Sequence, residues 1–198
     1  MHISEGVLSA PVLLAGAVLS FGGITLGLKK IKKNEDLFKV AVLSSVFFVV
    51  SLIHVPIGPT SAHLVLNGLL GLLLGWSTFP SIFVALVLQA ILFQFGGLTT
   101  LGVNTFALAM PGVISYYIFR RMLRGKNSLA FCAGFLCGIL SLLMATLFIS
   151  IALIETEKSF TALSLTLLTM YLPISIVEGI ITGFVVLYIK KVKPEVLG

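Results

Sequence analysis

The chain is a succession of apolar runs, each near the ~20 residues that a bilayer core demands of a spanning helix. Short clusters of lysine, arginine, glycine or proline separate them. Runs this long leave no room for the charged face that a surface helix presents to water. They do not alternate with a period of two, so they point to helices and not to the strands of a barrel. Lipid tolerates such a surface, and within lipid only helices and closed barrels satisfy the backbone. Composition agrees. Charged residues are 10% of the chain and hydrophobic ones 58%, with a mean hydropathy of +1.16, where a soluble domain carries charge on about a quarter of its positions.

The pattern predicts an all-α membrane protein of about seven transmembrane helices, forming a single integral-membrane domain over residues 1–198. The first span covers residues 7–28 and ends at Lys29-Lys30-Ile31-Lys32-Lys33. The second covers 39–55 and stops at Pro56. After the link Ile57-Gly58-Pro59-Thr60-Ser61 a third covers 62–76. The turn Ser77-Thr78-Phe79-Pro80 leads to a fourth that ends near Phe95. The remaining spans cover 101–119, 128–154 and 161–189. No basic stretch precedes the first span, Lys29 being the first basic side chain, so no cleavable leader is expected.

The basic residues orient the bundle. With seven spans, twelve of the thirteen lysines and arginines fall on one side, and only Lys158 on the other. That side is expected to be cytoplasmic, which puts the amino terminus outside and the carboxy terminus inside. The net charge of +6 is thus a topology signal and not a nucleic-acid patch. Small residues recur four apart at Gly16/Ser20, Gly23/Gly27, Gly71/Gly75, Gly134/Gly138 and Gly179/Gly183, a spacing that lets helix backbones approach closely, within the bundle or against a partner. Cys132 and Cys137 lie on different helical faces and read as packing residues without a disulfide. No nucleotide-binding loop is present. ATP-driven transport would need another chain to hydrolyse the ATP.

Polar chemistry gathers on the outer half. All three histidines, His2, His54 and His63, fall there by this topology, and histidine is the commonest metal ligand. A retained Met1 would carry a free α-amine. That amine, the backbone nitrogen of His2 and the His2 imidazole can close two fused chelate rings on one ion. Few cations displace a backbone proton; Ni²⁺ and Cu²⁺ do, and both favour square-planar nitrogen sites. His63 is expected one turn into the third helix, with Thr60 or Ser61 as N-caps, where it would supply the fourth nitrogen. His54, just before Pro56, and the amides Asn67 and Asn104 are expected around these ligands together with Thr60 and Ser61. Asn67 is placed one turn after His63 on the same face. Glu178 is the one acid deep in a span, a position that marks function by default. Charge balance, a link to a partner and a protonated helix contact all remain open for it.

These segments resemble the CbiM/NikM family, the substrate-capture membrane components of energy-coupling factor (ECF) transporters for cobalt and nickel. Met1-His2-Ile3-x-Glu5-Gly6 is similar to the family's amino-terminal signature. Pro59-Thr60-Ser61-Ala62-His63, Gly96-Gly97-Leu98-Thr99-Thr100-Leu101-Gly102-Val103-Asn104 and Glu178-Gly179-Ile180-Ile181-Thr182 resemble three further segments, in order along the chain. The resemblance implies an amino-terminal segment folded inward, with ligands at Met1, His2 and His63. It also implies a coupling membrane subunit, ATPase subunits and a small accessory membrane protein as partners, in a prokaryotic cytoplasmic membrane. The cargo would be Ni²⁺ or Co²⁺, and Ile53-His54-Val55-Pro56-Ile57-Gly58-Pro59 departs from the cobalt-type pattern toward nickel. A membrane hydrolase would need an open metal position and a base, and neither HExxH nor paired carboxylates accompany the histidines. A self-sufficient permease, the alternative to a capture subunit, would be expected to show internal repeats.

Overall fold

Helix α1 (Ala10–Leu28) starts at Pro11 within its first turn and ends at the lysine cluster. Helix α2 (Asn34–Ser51) is capped by Asp36, whose carboxylate accepts the N–H groups of Lys32 and Lys33 at 3.2 Å each. The strands β1 (His54–Ile57) and β2 (Thr60–His63) form an antiparallel hairpin. There follow α3 (Asn67–Leu74), α4 (Thr78–Phe93), α5 (Leu101–Phe119), α6 (Asn127–Thr156) and α7 (Thr161–Val192). This computed structural model describes residues 2–57 and 60–197; the side chains of residues 54–62 lie outside the described set, as do Met1, Gly58, Pro59 and Gly198.

Among the described residues, five stretches are long and apolar enough to cross a membrane: Ala10–Leu28, Asn67–Phe93, Leu101–Phe119, Asn127–Thr156 and Lys158–Val192. Helix α2 carries Glu35, Asp36 and Lys39 in its first turns, and α3 alone has eight residues. The stretch Asn67–Phe93 is not one straight rod. It reverses through a 3₁₀ turn at Gly75–Ser77, where Gly75 has φ +55°. The turn lies at the lysine end of α1, since a Cβ on Gly27 would meet the Trp76 carbonyl and the Pro80 ring. Phe93, in contrast, leads back to Gly96 and Gly97, which touch His2 and Glu5 at the other end. Helix α3 therefore runs away from the amino-terminal segment and α4 returns to it. Thr78 supports the reversal by donating its hydroxyl to Leu70 O at 3.2 Å.

The small residues pack the bundle internally. A Cβ on Gly138 would come within 2.8 Å of the Gly179 Cα, and one on Gly134 within 2.9 Å of the Gly183 Cα. Helices α6 and α7 thus pack backbone to backbone along these pairs, as the fourfold spacing permits. Gly71 meets Gly112 between α3 and α5. Ser20 of α1 donates to the Gly102 carbonyl at 2.6 Å. Large apolar side chains remain outside, among them Leu14, Val18 and Phe21 on α1 and Leu165, Leu172 and Phe184 on α7, as a lipid-facing surface requires. Cys137 is buried and donates to Gly68 O at 3.3 Å, while Cys132 faces outward, so only one of the two packs inside; both are free thiols.

Candidate metal-capture site

Residues 2–9 fold back against the bundle. Ile3 is buried in the core and acts as the anchor. Its N–H donates to Asn104 Oδ1 at 3.0 Å, and Asn104 Nδ2 donates back to the Ile3 carbonyl at 3.1 Å. One amide side chain thereby does for Ile3 what a neighbouring strand would do. Thr100 adds its hydroxyl to the same carbonyl at 2.9 Å. Each such bond contributes about 1 kcal/mol net, and leaving a buried partner unsatisfied costs more.

The loop before α5 closes over this anchor through two glycines. Gly96 has φ +75°, a conformation that favours glycine, and a Cβ there would stand 3.3 Å from Asn104 Nδ2 and 3.6 Å from the His2 Cβ. A Cβ on Gly97 would overlap the Glu5 carboxylate. Glu5 accepts the Thr99 N–H at 3.3 Å, and the Thr99 hydroxyl beside it holds its carboxyl below the usual range. On the opposite wall Ser9 N–H donates to Thr156 Oγ1 of α6 at 3.2 Å. His2 is half-buried and borders a cavity of about 230 Å³ shared with Ile149, Leu153 and Leu163.

His63 meets His2 from the other side. The two rings stack with centroids 5.1 Å apart and planes inclined by 24°. His63 is only 4% exposed, and burial pushes its pKa below the ordinary value, favouring the neutral ring a metal needs. Its Nδ1 lies 3.1 Å from the Leu64 carbonyl. A carbonyl only accepts, so Nδ1 carries the hydrogen and the lone pair of the neutral ring sits on Nε2.

The chain reaches this point by a route other than the expected one. His63 closes strand β2 and is not one turn into a helix; Asn67 opens α3, and Leu66 before it is left-handed at φ 54°. Pro56 biases Val55 toward extended backbone. Thr60 and Ser61 thus belong to a strand and are not N-caps. The acceptor at the start of α3 comes instead from Glu178 of α7, which is fully buried. Its Oε1 accepts the Val65 N–H and its Oε2 the Leu66 N–H at 3.0 Å. A carboxylate suits that place, facing the positive end of a helix, and it offsets the roughly 1–2 kcal/mol that a left-handed residue costs.

Asn67 departs from expectation too. Its Nδ2 donates to Leu108 O at 3.0 Å and Ser141 O at 3.2 Å, tying α3 to α5 and α6 instead of following His63. Asn104 does flank the site, but it holds a backbone and not an imidazole. His54 is the register partner of His63 in the hairpin; the side chains of His54, Thr60 and Ser61, and all of Met1, lie outside the described residues. Among the described residues no three His, Cys, Asp or Glu side chains form a metal-ligating group.

Apolar helices around a stacked imidazole pair define the class, a multi-pass membrane protein with a nitrogen-bearing interior. The family model for the "Cobalt uptake substrate-specific transmembrane region" matches residues 2–196, and the chain belongs to that family. A relative from Haemophilus influenzae, described as "Putative metal transport protein", is 42% identical over 200 residues, covering 100% of this chain and 97% of its own. A "Putative fused nickel transport protein NikMN" from Archaeoglobus fulgidus is 29% identical over 203 residues, covering 100% of this chain and 68% of its own. A solved structure described as a transition metal transporter superposes with a TM-score of 0.84 at 28% identity, covering 97% of this chain and 93% of the other.

Proposed function

We propose that the chain captures a divalent transition-metal cation on the outer side of a prokaryotic cytoplasmic membrane, as the substrate-binding component of an ECF-type uptake transporter. Seven helices cross the membrane in this reading, with the amino terminus outside. The chain is not an enzyme; ATPase subunits hydrolyse ATP and a coupling membrane subunit relays the motion, with a small accessory membrane protein as a further partner.

The observation that carries this reading is the 5.1 Å stacking of His2 on His63 beside a clamped amino-terminal backbone. The ligands are the Met1 α-amine, the His2 backbone nitrogen, the His2 imidazole and the His63 imidazole. The amine and the backbone nitrogen close a five-membered ring on the ion, and Nδ1 of His2 closes a six-membered one. The backbone nitrogen releases a proton to bind. Ni²⁺ drives that exchange better than Co²⁺ and prefers four nitrogens in a plane, so nickel is the favoured cargo. Support for a transported metal also comes from the nickel transport name of the Archaeoglobus fulgidus relative.

The test is calorimetric titration of His63→Ala with NiCl₂. Loss of most of the affinity is expected; unchanged binding removes His63 from the ligand set.

A further inference from the structure

We infer that Glu178 is a positioning residue for the captured metal, acting through the backbone that carries His63. This inference rests on the reading of His63 as a ligand. The connection runs through four consecutive residues. Glu178 grips the N–H groups of Val65 and Leu66 with its two oxygens. Those peptides fix the direction in which Leu64 presents its carbonyl. That carbonyl receives Nδ1–H of His63, which sets both the tautomer and the tilt of the ring, and so where Nε2 points.

The residue type is specific to this task. A carboxylate offers acceptors on both oxygens, and both are engaged here by N–H groups. Glutamine keeps one acceptor and turns an NH₂ toward an N–H, so one of the two peptides must turn away. Aspartate keeps both acceptors on a stem one methylene shorter. The support beneath Glu178 is stiff, because a Cβ on Gly138 of α6 would fall 2.8 Å from the Glu178 carbonyl and the Gly179 Cα alike. The position of α7 is therefore transmitted to a ligand on another element, and Glu178 accomplishes this without touching the metal.

The experiment uses the full chain with an unextended amino terminus, titrated with NiCl₂ and followed by calorimetry and by the visible absorption of bound nickel. Glu178→Gln is expected to keep its helical circular dichroism, to bind nickel at least tenfold more weakly, and to shift or weaken the visible band. Glu178→Asp is expected to fall between it and the parent. Should Glu178→Gln fold poorly, the same change is made with Leu66→Gly, since glycine takes the left-handed conformation without strain; the same loss is expected there. Parent-like affinity and an unchanged band in a folded Gln variant overturn the inference, even if that variant melts earlier. Failure of the parent to bind nickel, or parent-like binding by His63→Ala, would instead overturn the reading of the site on which the inference stands.

Discussion

Asn104 binds the backbone of Ile3 at both its donor and its acceptor, at 3.0 and 3.1 Å. The contact is made one residue beyond His2 and holds the backbone that carries it. Substitution at Asn104 therefore tests whether a clamp far from the metal in sequence sets its affinity. Asn104→Ala removes two hydrogen bonds to a buried backbone, at about 1 kcal/mol or more each. A loss of roughly 10–100-fold in nickel affinity is expected. Ile3 amide hydrogen exchange should accelerate in parallel. Unchanged exchange would show that Ile3 is held by something else.

Gly97→Ala should act on the same segment from the loop side. The added methyl takes the space of the Glu5 carboxylate. A drop in affinity of about tenfold is expected, in keeping with the 1–3 kcal/mol that overpacking costs, with little change in helical content. Calorimetry and circular dichroism on the one variant separate the two.

Glu5 adds a dependence on pH. Its carboxyl is held below the ordinary value by the Thr99 hydroxyl, so the charged form favours the docked segment. The sign follows: the contribution is present above the usual glutamate pKa of about 4.3 and is lost as pH falls through the lower, docked value. Ile3 exchange, corrected for its intrinsic pH dependence, should accelerate in that acid window in the parent. Glu5→Gln should show no such step. A step of equal size in Glu5→Gln would assign the effect to another group.

The contact of α6 with α7 should tolerate no side chain at Gly138. Gly138→Leu is expected to destabilise the protein by about 1–3 kcal/mol or more, read as a lower melting temperature in detergent. An unchanged melting temperature would mean that the two helices can part without cost.

Much of this was legible beforehand, for reasons that differ by residue. Helix α5 begins and ends where its apolar run does, because Gly96 and Gly97 break the chain before it and Arg120 follows it. A reversal between two spans could be read from the short polar stretch, although it falls at Gly75–Ser77 and Thr78, Phe79 and Pro80 already belong to α4. The stacking of His2 on His63 joins two residues that their chemistry singles out. The strand at His63 was not legible. Thr60 and Ser61 look like local N-caps, and nothing nearby announces that the acceptor for the start of α3 arrives from Glu178, more than a hundred residues away. Asn67 misleads in the same manner: helical spacing aligns it with His63 only if both lie on one helix, and they do not.

The central claim is that the chain's own first residues are ligands. Its most direct test is a nickel titration of two purified proteins, one starting at Met1 and one with a single alanine placed before it, both verified by mass spectrometry. The extra residue moves the amine by a full peptide unit while leaving His2, His63 and Asn104 in place. One tightly held nickel ion is expected for the first protein and loss of high-affinity binding for the second. Equal, tight binding by both would contradict it.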